Sequence, residues 1–187
     1  MPKATYHHGA LRRALLDAAL AEIARGGVAV VNLRELARAT GVSHAAPRHH
    51  FGDKRGLLTA LAAEGFGLLH EALRETWEGT GSFREVGVSY VRFAIGHPAH
   101  FAVMFQPDLL APDDPALLEA QSRTQALLYG PVTTVAEAPD GADPRTPAIA
   151  AWSLVHGLAT LLLAGNLPED LRQDPDDLAR IVTGHLF

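Results

Sequence analysis

Gly41 stands between two short runs of helical apolar spacing, and this placement narrows the folds open to the N-terminal part more than any other feature. A glycine after a short helix takes the left-handed backbone that reverses a chain tightly, at no cost from a Cβ. Before it, Asn32 opens a helix predicted over residues 33–40, with Leu33, Leu36 and Ala37 on one face. Glu35, three residues on from Asn32, completes a capping-box pattern. After Gly41, Val42 can plug the corner, and Ser43 can cap a third helix over residues 44–50. Pro47 falls in that helix where amides still lack an intrahelical partner. Two short helices joined by Gly-Val-Ser make a helix-turn-helix.

Helical spacing governs the rest of the chain as well. Leu11, Leu15, Leu16, Ala19, Leu20 and Ile23 recur at three- and four-residue steps and mark a first helix ending near Gly26-Gly27. Val28 to Val31 is β-branched and extended in character, too short for a sheet of its own. Asp53 caps a long helix over 54–79, apolar at Leu57, Leu58, Leu61, Ala62, Phe66, Leu69 and Leu73, and Gly79-Thr80-Gly81-Ser82 ends it. A fifth helix runs to His97, and a sixth starts at Pro98 and stops before Pro107. A seventh, capped by Asp113-Asp114-Pro115, reaches residue 138. Residues 139–147 are rich in proline and read as a loop, and helices over 146–164 and 175–187 finish the chain. The expected fold is all-α with about nine helices. A three-helix helix-turn-helix domain covers 1–53, and an antiparallel helical domain covers 54–187.

Composition bounds what such a chain does. With 48% hydrophobic and 20% charged residues in 187 there is material for a core, and the absence of cysteine excludes disulfides and thiolate metal sites. No secretory signal is readable at the N-terminus, and the longest apolar stretch, 154–164, contains His156 and is too short to span a bilayer. A cytoplasmic protein without a membrane partner is therefore expected. The net charge of −5 hides an asymmetry: residues 1–55 hold nine Lys or Arg against four acids, and the remainder holds seven Arg against seventeen acids. Either one surface is built for a polyanion or the charge is chance surface charge, and charge alone does not choose.

Ordered landmarks then carry a resemblance. Leu33-Arg34-Glu35-Leu36-Ala37, Gly41-Val42-Ser43, His50-Phe51, and Lys54 with Leu57-Leu58 resemble the DNA-binding domain of the TetR family of transcriptional regulators. Tyr6-His7-His8-Gly9 with Leu11-Arg12, and Trp152-Ser153-x-x-His156-Gly157, are similar to signatures of one subgroup of that family. One departure stands out. Family members usually carry an aromatic, commonly tyrosine, where this chain has Arg48, which can contact a phosphate or fork onto a guanine edge.

The resemblance implies a regulator, most often a repressor, that binds palindromic operator DNA as a homodimer and is released by a small-molecule inducer. Recognition needs side chains from the first turns of a short helix, flanked by cations on phosphates. Ser43, His44, Ala45, Arg48 and His49 are the outward candidates, with Ala46, His50 and Phe51 inward. Arg34 and Lys54 sit at helix N-termini as phosphate anchors. For a largely apolar inducer the candidate set is Phe66, Tyr90, Phe101, Met104, Phe105, Trp152 and His156, and ordinary core packing is the plain alternative for most of them. An imidazole at His156 on an apolar helix needs a partner or a ligand. The last two long helices are expected to form the dimer, through Ala151, Leu154, Val155, Ala159, Leu162, Leu163, Leu178, Ile181, Val182 and Leu186. No nucleophile elbow, phosphate loop or dinucleotide fingerprint is present, so no catalytic residue, cofactor or metal site is assigned. Two alternatives stay open: a metal-responsive regulator using His7-His8, His49-His50 and His97-x-x-His100, and a helical binding protein without DNA function.

Overall fold

The structure, a computed structural model, describes residues 4–130 and 143–185. Among the described residues it has nine α-helices and no strand: α1 Ala4–Gly26, α2 Leu33–Ala39, α3 Ala46–Phe51, α4 Lys54–Thr80, α5 Phe83–Gly96, α6 Pro98–Met104, α7 Pro115–Tyr129, α8 Thr146–Leu163 and α9 Pro175–Thr183. The chain packs as two compact units, residues 1–65 with 98–118, and residues 66–97 with 119–187. This packing partition differs from the division expected at residue 53, because 54–65 and 98–118 pack with the N-terminal helices.

In the first unit Leu15, Leu16, Ala19 and Ile23 of α1 are buried, as their spacing requires. Val28–Val30 forms a 3-10 turn rather than an extended piece, with Val28 and Val31 buried as plugs beneath it. Asn32 caps α2 by accepting from the Arg34 N–H at 2.9 Å. Glu35 does not reach back to complete the box, because its carboxylate takes the nearer guanidinium of Arg38 at 3.0 Å. At the corner Gly41 has φ 68°, its N–H bonds Arg38 O at 3.2 Å, and the Val42 N–H bonds Ala37 O at 3.0 Å. These are the paired bonds of a Schellman ending. Ser43 offers its carbonyl to the Ala46 N–H at 3.0 Å rather than its hydroxyl as a cap. Residues 44 and 45 form a turn, so α3 starts two residues later than expected, and Pro47 takes its second position, where a helix amide has no partner to lose.

Asp53 Oδ1 accepts the Gly56 N–H at 2.9 Å and starts α4. A Cβ on Gly56 would lie 2.0 Å from Phe51 O, so only glycine lets α3 close onto α4. Arg55 bonds Leu110 O at 2.9 Å and Asp108 O at 3.1 Å, and Thr59 Oγ1 accepts from Ala111 N at 2.9 Å. These bonds fasten the start of α4 to the segment after α6. Beneath them runs a polar bridge that the sequence did not reveal. His100 of α6, only 6% exposed, bonds Glu64 Oε1 at 3.0 Å, and Arg13 of α1 bonds Glu64 Oε2 at 2.6 Å. One carboxylate thus links α1, α4 and α6.

In the second unit α5 packs on α8 and α9 through Val86, Tyr90, Val91, Val155, Ala159 and Ala179, all buried. Ser89 Oγ bonds Ala72 O of α4 at 3.2 Å, and Thr124 Oγ1 of α7 bonds Phe66 O at 3.0 Å. Asp114 and Asp174 cap α7 and α9, accepting from Leu117 N at 3.0 Å and Asp177 N at 2.9 Å. The α8 helix as a whole, 18 residues of mean hydropathy 1.5, is long and apolar enough to cross a membrane by length and composition, which the shorter stretch 154–164 was not. One of its faces is nevertheless part of this core. Ala151, Val155 and Ala159 are buried there, which corrects their expected place on a dimer face. Leu163 and Ile181 of the expected face are exposed, joined by Ile149 and Leu161. The expected end of the seventh helix at 138, most of the 139–147 loop and Leu186 lie outside the described residues.

The Glu64 bridge makes a prediction. Burial, the largest single influence on Glu64, pushes its carboxyl up, but the bonds from Arg13 and His100 together hold it below the ordinary carboxylate value. Its contribution is therefore complete above the ordinary carboxylate range and is lost as pH falls through the lower folded value. Glu64→Gln is expected to destabilise by about 1–2 kcal/mol at neutral pH, a figure already reduced for partial exposure. Denaturant melts at several pH values should show this gap closing toward acid. A gap that does not change with pH overturns the assignment.

Candidate nucleic-acid interface and ligand cavity

Four side chains decide which way α3 faces. Pro47 is buried, while Ala46, His50 and Phe51 are half-buried against the first unit. The opposite side follows: Ser43, His44, Ala45, Arg48 and His49 are all exposed. Exposure thus divides these residues as the sequence reading did. The imidazoles of His49 and His50 meet edge to face at 5.5 Å, and His50 lies 6.1 Å from the Phe51 ring.

The cations around α3 are not equivalent. Arg34 is exposed in the first turn of α2, and neither it nor Arg48 has a carboxylate partner among the described residues. Arg38 is tied to Glu35, Arg13 to Asp17 and Glu64, and Arg55 to backbone carbonyls. Lys54 is half-buried, with Nζ donating to Ala29 O at 2.9 Å, so one of its ammonium protons is already used on the turn before α2. The sequence reading missed Arg12, an exposed cation whose guanidinium stands 5.4 Å over the Phe51 ring and so borders α3 from α1. Its position one helical turn before Leu15 and Leu16, just off the buried stripe, was the available signal.

The second unit contains a small cavity between α5 and α8. Tyr90, 1% exposed, has its hydroxyl 2.8 Å from His156 Nδ1, and the Trp152 indole N–H donates to the Tyr90 oxygen at 3.2 Å. Burial pushes the Tyr90 phenol well up, overriding the Trp152 bond, and burial pushes His156 down. Both groups are therefore neutral near pH 7. Val86, Gly87, Leu128 and Val155 complete the apolar wall, with Phe83 and Arg84 at one end. A Cβ on Gly87 would meet Thr183 Cγ2 at 3.0 Å and Val155 Cγ1 at 3.2 Å. A glycine inside a helix costs about 1 kcal/mol against alanine, so its presence there was a readable sign of close packing.

Of the seven expected ligand residues, the structure brings together Tyr90, Trp152 and His156. Phe66 is buried on α4 apart from the cavity wall. Phe101 and Met104 are buried in the first unit, where Phe101 packs on Phe105 at 5.1 Å between ring centres. A Cβ on Gly65 would lie 2.6 Å from Met104 Sδ, so Met104 serves helix packing there. Among the described residues no three His, Asp or Glu side chains converge as a metal site would require. His97 packs on Phe93 at 4.9 Å, and His100 belongs to the Glu64 bridge.

A helix-turn-helix head with an open recognition helix, followed by a helical unit with its own cavity, defines a DNA-binding regulator of the one-component type. Residues 15–61 match the family described as bacterial regulatory proteins, tetR family, and residues 83–186 match the tetracyclin repressor-like C-terminal domain. The chain belongs to the TetR family of transcriptional regulators. It is 33% identical over 102 residues to the HTH-type transcriptional regulator BetI of Rhizobium meliloti (strain 1021), a stretch that is 54% of this chain but only 45% of that protein. A solved structure of a protein with unknown function from Rhodococcus sp. RHA1 is 34% identical, covers 98% of this chain and 97% of its own, and has a TM-score of 0.79. The transcriptional regulator FadR from Bacillus subtilis, solved in complex with stearoyl-CoA, is alike in fold at 19% identity, with 93% and 96% covered and a TM-score of 0.71.

The cavity network is testable by pH. His156 is expected to titrate below the ordinary imidazole value by NMR, since burial disfavours its cation. Stability should be full above the ordinary imidazole range and fall as pH drops from there through the folded midpoint. His156→Gln should flatten that part of the profile. An unshifted midpoint contradicts the neutral Tyr90–His156 pair.

Proposed function

We propose that this chain represses transcription as a homodimer bound to a palindromic operator, and that a small, largely apolar inducer in the second unit releases it. One observation carries the DNA-binding part. The α3 helix keeps Pro47 in the core, and His44 of the preceding turn with Arg48 and His49 of the helix are exposed, as is Arg34, which has no carboxylate partner among the described residues. In this reading Ser43, His44, Ala45, Arg48 and His49 face base edges and nearby phosphates, while Arg34 and Lys54 hold the backbone from helix N-termini. Arg12 is added as a third backbone contact.

One six-residue helix buries too little surface to hold an operator, so two copies about one DNA turn apart are required. The exposed Ile149, Leu161, Leu163 and Ile181 of the last two long helices supply an apolar face for that pairing. Such a face is better covered by a second copy than left in water. A cytoplasmic location follows from the operator, and neither site calls for a catalytic step. The FadR fold accommodates an acyl-CoA, which supports a ligand-binding role for the corresponding unit here without fixing its ligand. Release requires that the inducer prefer the DNA-incompetent state by a few kcal/mol.

Fluorescence anisotropy with duplex from the promoter region next to the gene tests this reading. Binding should weaken steeply with salt, with a slope of about −0.9 per phosphate contacted. Arg48→Ala should lower that slope by about two contacts per dimer if Arg48 holds phosphate. If it reads guanine, the change should cost about 1–3 kcal/mol at one base pair of each half-site. A purified dimer with no salt-sensitive affinity for any duplex would falsify the proposal.

A further inference from the structure

The second unit has seven arginines, and five are neutralised by a carboxylate: Arg74 by Glu71 and Glu78, Arg92 by Asp176, Arg123 by Glu71, Arg145 by Asp143 and Arg180 by Glu85. Arg84 and Arg172 have no such partner among the described residues, and of these two only Arg84 lines the cavity. Residues 56–187 hold seventeen acids against seven arginines, so an arginine at this cavity that no described carboxylate pairs stands out from its surroundings. Its guanidinium makes both of its hydrogen bonds to a single oxygen, Arg180 O, from Nε at 3.1 Å and Nη2 at 2.5 Å. That leaves three of the five N–H donors of a guanidinium, including the Nη1–Nη2 edge that grips a carboxylate with two parallel bonds.

The rest of the cavity is uncharged. Among the described residues no acid lines it, its wall includes Val86, Leu128, Val155, Tyr90 and Trp152, and the Tyr90–His156 pair is neutral. The enclosed part holds about 20 Å³, room for roughly one water. A ligand enters only if a wall moves, and a small ring or short chain requires less movement than a long chain.

We infer that the ligand of this cavity is a small amphiphile bearing one carboxylate, its anion on Arg84 and its apolar body against Tyr90, Val86 and Leu128. The inference rests on the reading of this cavity as the ligand site. The acidic surroundings do not oppose it. Exposed charges beyond about 8 Å are largely screened at physiological salt, whereas a paired guanidinium and carboxylate are in contact. Arg84 also closes the end of α9 through Arg180 O, and that duty uses only two of its donors.

Matched acids and amides decide the question. Benzoate and hexanoate are compared with benzamide and hexanamide by calorimetry, and by Trp152 fluorescence in a Trp77→Phe background, using the full chain. The acids should bind at least tenfold tighter than their amides. Arg84→Gln should bring the acids down to the level of the amides, and Arg84→Lys should restore part of the difference. Amide binding retained by Arg84→Gln shows that the cavity is still folded, so the lost preference is one of charge. Equal binding of acid and amide by the unsubstituted chain overturns the carboxylate and leaves the cavity as a site for neutral ligands. If none of the four probes binds at saturating concentration, both the carboxylate and the cavity reading fall.

Discussion

At Gly41 the backbone passes through φ 68°, and two hydrogen bonds close over it, from Gly41 N–H to Arg38 O and from Val42 N–H to Ala37 O. Everything the head does depends on that corner. It ends α2 without leaving its last carbonyls unpaired, and it brings Pro47 into the core. With Pro47 inside, the helical period forces Arg48 and His49 outside. A side chain at Gly41 would strain the left-handed backbone on which this corner depends. A recognition surface is here a consequence of one residue's missing Cβ.

Three of the local cap signals and the stripe of α1 were legible. Asn32, Asp53 and Asp114 each cap the helix their sequence places them before, accepting from Arg34 N, Gly56 N and Leu117 N. The apolar stripe of α1 is buried where its spacing put it. Glu35 was misread because the back-reach to a cap and the i,i+3 pair with Arg38 compete over one turn, and sequence does not rank them. Val28–Val31 was misread because β-branched residues favour extended backbone, while burying Val28 and Val31 under the turn favours 3-10 geometry. The α8 helix defeats periodicity for another reason. It is apolar on nearly every side, so nothing in the sequence separates the face toward α5 from the face toward a partner. The bridge from His100 to Glu64 joins residues 36 apart, and no local pattern announces it.

Net charge proved a coarse guide to the head. Of its cations, Arg13 and Arg38 are spent on carboxylates, and Arg25, Lys54 and Arg55 donate to backbone carbonyls. Among the described residues, the head's cations with neither an ion pair nor a side-chain bond to a backbone carbonyl are Arg12, Arg34 and Arg48. Those three border α3 from α1, from α2 and from α3 itself. In the proposed reading the long-range field steers association, and these few guanidinium groups set which phosphates are gripped.

The small size of the cavity bears on how a ligand acts in the proposed reading. With space for about one water between α5 and α8, a ligand cannot enter without moving a wall. The wall at α5 is tight, since Gly87 stands against Thr183 and Val155 with no room for even a methyl group. Part of the intrinsic binding energy must therefore go into opening the helices, which lowers apparent affinity and makes binding selective for the opened state. The α5 helix is held to α4 by the Ser89 bond to Ala72 O. The same continuous α4 carries Glu64, whose carboxylate grips Arg13 of the recognition head. In the proposed reading, a ligand that displaces α5 is felt first at Ala72 of α4, the carbonyl that Ser89 holds.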